Sequence, residues 1–271
     1  MMEYKNLLDM HVHTDSSPDG EHAAILLCEY ALRKGMRAIA FTDHCEVDCF
    51  YTEHYDRSIQ QAYFEASKAR SVFRGSLIVS IGIELGQPIQ DLHTSEKIIQ
   101  SMNYDVILGS IHNVRGKKDF YFLNYTHCDI NALLYQYFEE VYEMVQWGGF
   151  DVLAHLTYPL RYICGEYKIS VDLSKFTDII DKILKGLAQS GKALEINTSG
   201  LRGKIGETSP TLDIVRRFKE LGGRYITIGS DAHCVKDVGA GLQEGLAIAR
   251  EAGFHEVTLF ESRMPIQIEI K

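Results

Sequence analysis

The chain has 271 residues, 45% hydrophobic and 24% charged, enough to bury a sizeable core and an ordinary length for one α/β barrel. Its 28 basic against 37 acidic residues give a net charge of −9, which argues against nonspecific binding to nucleic acid or to an anionic membrane surface. No apolar segment approaches the roughly 20 residues needed to cross a bilayer, and the opening Met-Met-Glu-Tyr-Lys lacks a secretory apolar stretch, so a cytoplasmic protein is expected.

Apolar, β-rich runs alternate with longer amphipathic segments along the chain. Strands are predicted at 7–10, 38–41, 77–83, 106–108, 152–154, 193–196 and 225–228, with helices around 22–34, 57–73, 91–102, 130–147, 173–190, 209–221 and 239–252. Seven strand–helix units in strict alternation predict a parallel sheet, and closing it into a barrel leaves no edges. A last apolar run, 257–260, adds an eighth short strand or lies across the bottom of the barrel. No repeat, low-complexity tract or Pro/Gly-rich linker intervenes, so one domain over 1–271 is expected. Gly35, Gly191 and Gly222-Gly223 each follow a helix and precede a strand, the place of a left-handed helix end. Ser209-Pro210 reads as the cap and first turn of the helix at 209–221.

The chemistry lies where the apolar runs stop. The first run leads into Asp9-Met-His11-Val-His13, and alternation on a strand sends all three polar side chains to one side. Two imidazoles two residues apart can share a cation, with Asp9 as a ligand or as the group that orients a histidine from behind. Asp19 follows His13 by six residues, in Thr-Asp-Ser-Ser-Pro-Asp-Gly. The later strands end in Thr-Asp43-His44, Ile-Glu84, Ser-Ile-His112, Ala-His155, Glu195-Ile-Asn197 and Ser-Asp231-Ala-His233. A lone histidine at a strand end is ordinarily a hydrogen-bonded rim residue. A His, Asp or Glu at nearly every strand end, with no matching histidines at the strand starts, points instead to a multinuclear metal site on the C-terminal face. Imidazole and carboxylate without thiolate suit Zn, Fe or Mn in a hydrolytic site, and this many ligands suit two or three ions. Glu84 is placed to bridge two of them. The six cysteines are scattered; Cys45-x3-Cys49 is their nearest approach to a zinc clip, and free thiols in a reducing cytoplasm account for them better.

Taken in order, Asp-x-His-x-His, Thr-Asp-His, a third-strand Glu, Ser-x-His and Ser-Asp-Ala-His resemble the polymerase-and-histidinol-phosphatase (PHP) superfamily over essentially the whole chain. Within it, Leu-Glu-Ile-Asn-Thr-Ser-Gly-Leu-Arg at 194–202, followed by Gly-Ser-Asp-Ala-His, is similar to the stand-alone histidinol-phosphatase branch. The resemblance implies a distorted (β/α)7 TIM-like barrel with a trinuclear site at the C-terminal ends of the strands. One metal would take His11, His13, Glu84 and Asp231. A second would share Glu84 and take His112 and His155, and a third would take Asp19, His44 and His233. Many relatives carry histidine where this chain has Asp19; a carboxylate there keeps the site and shifts it towards harder ions.

The expected reaction is metal-dependent hydrolysis of a small phosphate monoester, in line, by a metal-bound hydroxide. L-histidinol phosphate is the expected substrate, and a small molecule rather than nucleic acid or membrane the expected partner. Asp231 and His233 are candidates to protonate the leaving oxygen. Arg161 and Arg202, on the fifth and sixth loops, are candidates to hold the phosphate, with Arg115 and Lys117 next. Asn197 either donates to the substrate or supports a ligand. Tyr158, Tyr162 or the Phe50-Tyr51 pair could flank an imidazole ring. The rival readings are a PHP phosphatase for a nucleotide or phosphotyrosine, a C–N hydrolase of the amidohydrolase type, and a non-catalytic PHP-like scaffold. A lysine usually ends the fourth strand of amidohydrolases, where this chain has His112. A scaffold would be expected to have lost ligands that are all present here.

Overall fold

The computed structural model describes residues 4–271. In chain order the elements are β1 (Leu8–Val12), α1 (Ala24–Arg33), β2 (Ala38–Phe41), β3 (His44–Glu46), α2 (Tyr55–Val72), β4 (Ile78–Gly86), α3 (Leu92–Ser101), β5 (Val106–Ser110), α4 (Ile130–Trp147), β6 (Val152–Leu153), α5 (Thr177–Ser190), β7 (Ala193–Asn197), α6 (Leu212–Glu220), β8 (Tyr225–Gly229), α7 (Leu242–Glu251), β9 (Glu256–Glu261) and β10 (Met264–Glu269). Seven strands run parallel in the order β1-β2-β4-β5-β6-β7-β8. Every residue of β1, β5 and β7 is buried, because helices cover the outside of the sheet and side chains fill the inside. Among the described residues, β1 and β8 meet along the C-terminal part of the barrel seam. There the Asp231 N–H donates to His11 O (2.8 Å) and the His13 N–H donates to Ala232 O (2.9 Å).

The second strand departs from the expected single run. β2 stops at Phe41, and beyond it the Asp43 side chain accepts the Thr14 N–H (2.7 Å) and the hydroxyls of Thr14 (2.9 Å) and Ser17 (2.7 Å). The chain resumes as β3, paired with Glu84–Gly86 at the far end of β4. β4 is nine residues long, so its first half pairs with β2 and its second half with β3. Alternation along β3 turns His44 and Glu46 to one side and buries Cys45 on the other. Among the described residues no cluster of possible metal-binding side chains includes a cysteine, and all six are free, so there is no Cys45–Cys49 clip.

One more expectation needs correction. Ser209 does not cap α6. Its backbone pairs in both directions with Asn197 (2.9 and 3.0 Å) and its hydroxyl meets that of Thr157 (2.8 Å), so the helix starts later, after Thr211. Of the two places expected for the 257–260 run, the structure gives the one across the bottom of the barrel and not an eighth barrel strand. The run lies in β9, which forms an antiparallel hairpin with β10. The Arg263 guanidinium clamps that hairpin to Asp151 (2.8 and 2.9 Å), just ahead of β6, and the Ser262 and Arg263 N–H groups bond Asp105, just ahead of β5. The hairpin therefore lies across the N-terminal end of the barrel and leaves the C-terminal end open. Gly35, Gly191 and Gly222 have φ of +69°, +66° and +93°, as a left-handed turn out of a helix requires.

Candidate metal centre

At the C-terminal end the strands deliver six imidazoles and four carboxylates to one cluster. His11 Nε2 lies 3.0 Å from His13 Nε2, and these two atoms are 3.9 and 3.5 Å from Asp231 Oδ1. Glu84, at the end of β4 and 1% exposed at its side chain, sits in the middle. Its Oε1 is 2.8 Å from His155 Nε2 and 3.1 Å from His112 Nε2. Its Oε2 faces His44 Nδ1 (2.9 Å), His11 Nε2 (3.4 Å) and His13 Nε2 (3.6 Å). On the outer side Asp19 reaches His233 Nε2 (3.2 Å) and His44 Nε2 (3.6 Å). The nine side chains expected from the sequence all lie in this cluster. Glu46 joins it from β3, with Oε1 2.9 Å from His112 Nδ1.

Cations fit this donor set. Glu84 Oε2 and His44 Nδ1 are buried and face each other, yet neither has a hydrogen-bond partner. Several imidazoles are turned the same way by a group behind them. His11 Nδ1 is held by Glu195 (2.8 Å), His13 Nδ1 by the Ser17 hydroxyl (3.1 Å), His112 Nδ1 by Glu46 (2.9 Å) and His233 Nδ1 by Asp231 O (3.1 Å). A proton engaged at Nδ1 leaves the Nε2 lone pair for the interior, the arrangement of a ligating histidine. The electrostatics agree. Burial alone would raise Glu84, but His112, His11 and His44 hold it well below the usual carboxylate range. Burial opposes a charged His112, and Glu46 and Glu84 overcome it, lifting its pKa to about 10. His13 goes the other way, pushed well down by burial and by His233 and His44.

The model of the PHP domain family matches residues 9–199. The chain belongs to the PHP domain family. It is 28% identical over 261 residues to the histidinol-phosphatase of Lactococcus lactis subsp. lactis, across 93% of this chain and 94% of that protein. It is 30% identical over 248 residues to a probable histidinol-phosphatase of Thermotoga maritima, across 92% and 93%. The crystal structure of histidinol phosphate phosphatase from L. lactis, complexed with Zn, L-histidinol and phosphate, aligns with a TM-score of 0.81 at 27% identity, covering 96% of this chain and 99% of that one.

In this PHP barrel the cluster opens into a cavity of about 870 Å³. Arg161 lines it, 3.0 Å from Asp231 Oδ2 and hydrogen-bonded to Ser199, with its guanidinium 5.3 Å from the centre of the Tyr158 ring. Tyr158 lies 5.0 Å from the rings of both His112 and His155, and its hydroxyl meets that of Tyr162 (3.0 Å). Lys117 lines the cavity too. Arg115 turns away, to Glu143 (2.7 and 2.8 Å) and Ile89 O (2.7 Å). Phe50 and Tyr51 pack on each other and not on an imidazole of the cluster. Arg202 borders a smaller neighbouring cavity of about 270 Å³ and donates to the carbonyls of Ser230 (2.8 Å) and Asp231 (3.2 Å). Asn197 is fully buried outside the main cavity, its amide 3.3 Å from Asp231 Oδ2, so of its two expected roles the geometry matches support of a ligand. Asp9 does neither thing expected of it. It accepts from the Ser230 N–H (2.7 Å), the Ser230 hydroxyl (2.5 Å) and the Gly239 N–H (2.8 Å), tying β1 to the segment after β8.

Two residues close to the cluster had no role assigned from the sequence, Glu46 and Glu195. Glu46 follows His44 at the His-x-Glu spacing, the same alternation that marks Asp9, His11 and His13, so its signal is present in the sequence. Glu195 was visible at a strand end but without a partner, because its contact with His11 spans 184 residues.

Proposed function

We propose that this chain is one PHP-type domain that hydrolyses L-histidinol phosphate to L-histidinol and phosphate with the help of two or three divalent cations. The observation that carries the reading is Glu84, a buried carboxylate with imidazoles facing both of its oxygens, at the floor of a cavity that also presents Arg161. One cation is assigned to His11, His13, Glu84 and Asp231, a second to Glu84, His112 and His155, and a third to Asp19, His44 and His233. Zn, Fe and Mn all suit these ligands. Such ions activate water at neutral pH and neutralise the charge of a phosphoryl group.

The chain's own groups do the rest. Arg161 offers a guanidinium to the phosphate oxygens, held in place by Asp231 and Tyr158. The cavity wall carries Glu46, Asp48 and Asp119 beside the rings of Tyr121, Phe122 and Tyr162, which suits a flat, cationic alcohol. Asp231 was a candidate proton donor. Burial would raise its pKa, but His11, His13 and Arg161 hold it well below the usual range, so it stays a carboxylate. His233 keeps Nδ1 on the Asp231 carbonyl (3.1 Å) and turns Nε2 to Asp19, so neither residue is assigned as the donor. Six free cysteines fit the cytoplasm, and among the described residues no helix is long and apolar enough to cross a membrane.

The test is phosphate release from L-histidinol phosphate and a panel of small esters, after chelation and after return of Zn, Mn or Fe. Metal-restored turnover that favours L-histidinol phosphate by orders of magnitude is expected. Equal turnover across the panel would remove the substrate assignment, and no turnover with any metal would remove the enzyme.

A further inference from the structure

We infer that Glu195 is a positioning residue that prepares two cation ligands at once, fixing the ring tautomer of His11 with one carboxylate oxygen and the backbone of His155 with the other. The inference rests on the metal-dependent reading above, and on contacts that lie behind the cluster rather than in it.

Glu195 is 1% exposed, points inward from β7 and does not line the cavity. Its Oε1 is 2.8 Å from His11 Nδ1. A carboxylate only accepts, so a proton sits on His11 Nδ1 and Nε2 is the nitrogen left to bind a cation. Nε2 is the atom turned to His13, Glu84 and Asp231. The other oxygen accepts the backbone N–H of His155 (2.8 Å) and the Asn197 side-chain amide (3.2 Å). His155 has a φ of +20°, a conformation that side-chain-bearing residues avoid and that a restraint of this kind must hold. That backbone aims the ring so that Nε2 comes within 2.8 Å of Glu84 Oε1. One carboxylate thus bears on ligands of two different cation positions.

A second feature shows that space is reserved for this contact. Gly229, on the adjacent β8, has no side chain where a Cβ would come within 2.3 Å of Glu195 Oε1 and 2.4 Å of His11 Cβ. Any larger residue there would drive the pair apart.

The experiment compares metal-free wild-type, Glu195→Gln and Gly229→Ala proteins by Zn²⁺ titration against a chromophoric chelator. The glutamine amide keeps the shape of glutamate but can satisfy only one of the two partners. With its NH₂ toward His11 it forces the ring proton onto Nε2, and with its NH₂ toward His155 it opposes an N–H donor. Glu195→Gln is expected to bind Zn²⁺ about 10- to 100-fold more weakly at one or more sites while the metal-free protein keeps the wild-type melting temperature. At saturating Zn²⁺, kcat falls and KM is unchanged. Gly229→Ala should weaken Zn²⁺ in the same direction with the carboxylate still present. Wild-type Zn²⁺ affinity and stoichiometry in Glu195→Gln would overturn the inference. Should both variants fail to fold, nitrogen-15 spectra of the Zn²⁺-loaded wild-type imidazoles decide: a His11 proton on Nδ1 supports the role and one on Nε2 refutes it. Zn²⁺ affinity and tautomer do not depend on the ester, so failure to hydrolyse L-histidinol phosphate would count against the substrate alone.

Discussion

Arg161 is the cationic side chain in the cavity whose surroundings fit it best for an anionic substrate. Asp231 and Ser199 hold one edge of its guanidinium and Tyr158 lies beneath it, so it is oriented before a ligand arrives. Removing a preorganised donor to developing oxyanion charge ordinarily costs about 100- to 1,000-fold in rate. Arg161→Ala is therefore expected to lower kcat/KM by about that factor, with metal content unchanged. Arg161→Lys should recover only part, since an ammonium keeps the charge and loses the fork. Steady-state kinetics with metal analysis of the same samples checks both. Loss of bound metal in Arg161→Ala would instead mean that the arginine acts by holding Asp231.

The hairpin β9–β10 is remote from this chemistry and contributes through stability. Arg263 covers the open N-terminal end of the barrel by bonding both oxygens of the nearly buried Asp151, which also accepts the Ile107 N–H (2.9 Å). Arg263→Ala leaves that carboxylate without its cation. A hydrogen bond to a charged group is worth about 1.5–3 kcal/mol, and the partner left behind adds desolvation cost, so a loss of about 2–3 kcal/mol is expected in urea denaturation. Turnover at 25 °C should not change, because the C-terminal end is untouched. A matching fall in kcat would show that the two ends of the barrel are coupled. The short β3 has the opposite importance. Three residues long, it adds little to the sheet but carries both His44 and Glu46 into the site.

Across the barrel, metal and fold are linked, because Glu84, Asp231, His11, His13 and His155 are all buried around one point. A cation at 1,000 times its Kd stabilises the folded state by about 4 kcal/mol. For a chain of this size that corresponds to a melting temperature about 10 °C lower after chelation, restored when Zn²⁺ is returned. Proton uptake should accompany the loss. His112 titrates at about 10 without metal, so near neutrality it is protonated and must give up that proton to bind. Metal affinity is then expected to fall as pH falls. Calorimetric titration in two buffers of different ionisation enthalpy measures the protons released, and a value of zero would contradict this picture of the site.

The seven-unit alternation, the parallel sheet and the gathering of the nine candidate side chains at one end of the barrel were legible from the amino-acid order. The reason is local: strand period and strand-end position place a side chain on the C-terminal face whatever the distant contacts are. Residues whose meaning is a partner far along the chain were not legible in this way. Glu195 acquires its role only when β7 lies beside β8 and behind His11 of β1, and Gly229 only when a carboxylate needs its space. Asp9, in the most conspicuous motif of the chain, turned out to bond Ser230 and Gly239, more than 200 residues away. Arg202 and Asn197 showed their surroundings only once the sixth loop had folded against Asp231. Periodicity determines which side of a strand a group takes; which group it meets there is decided by the closure of the barrel.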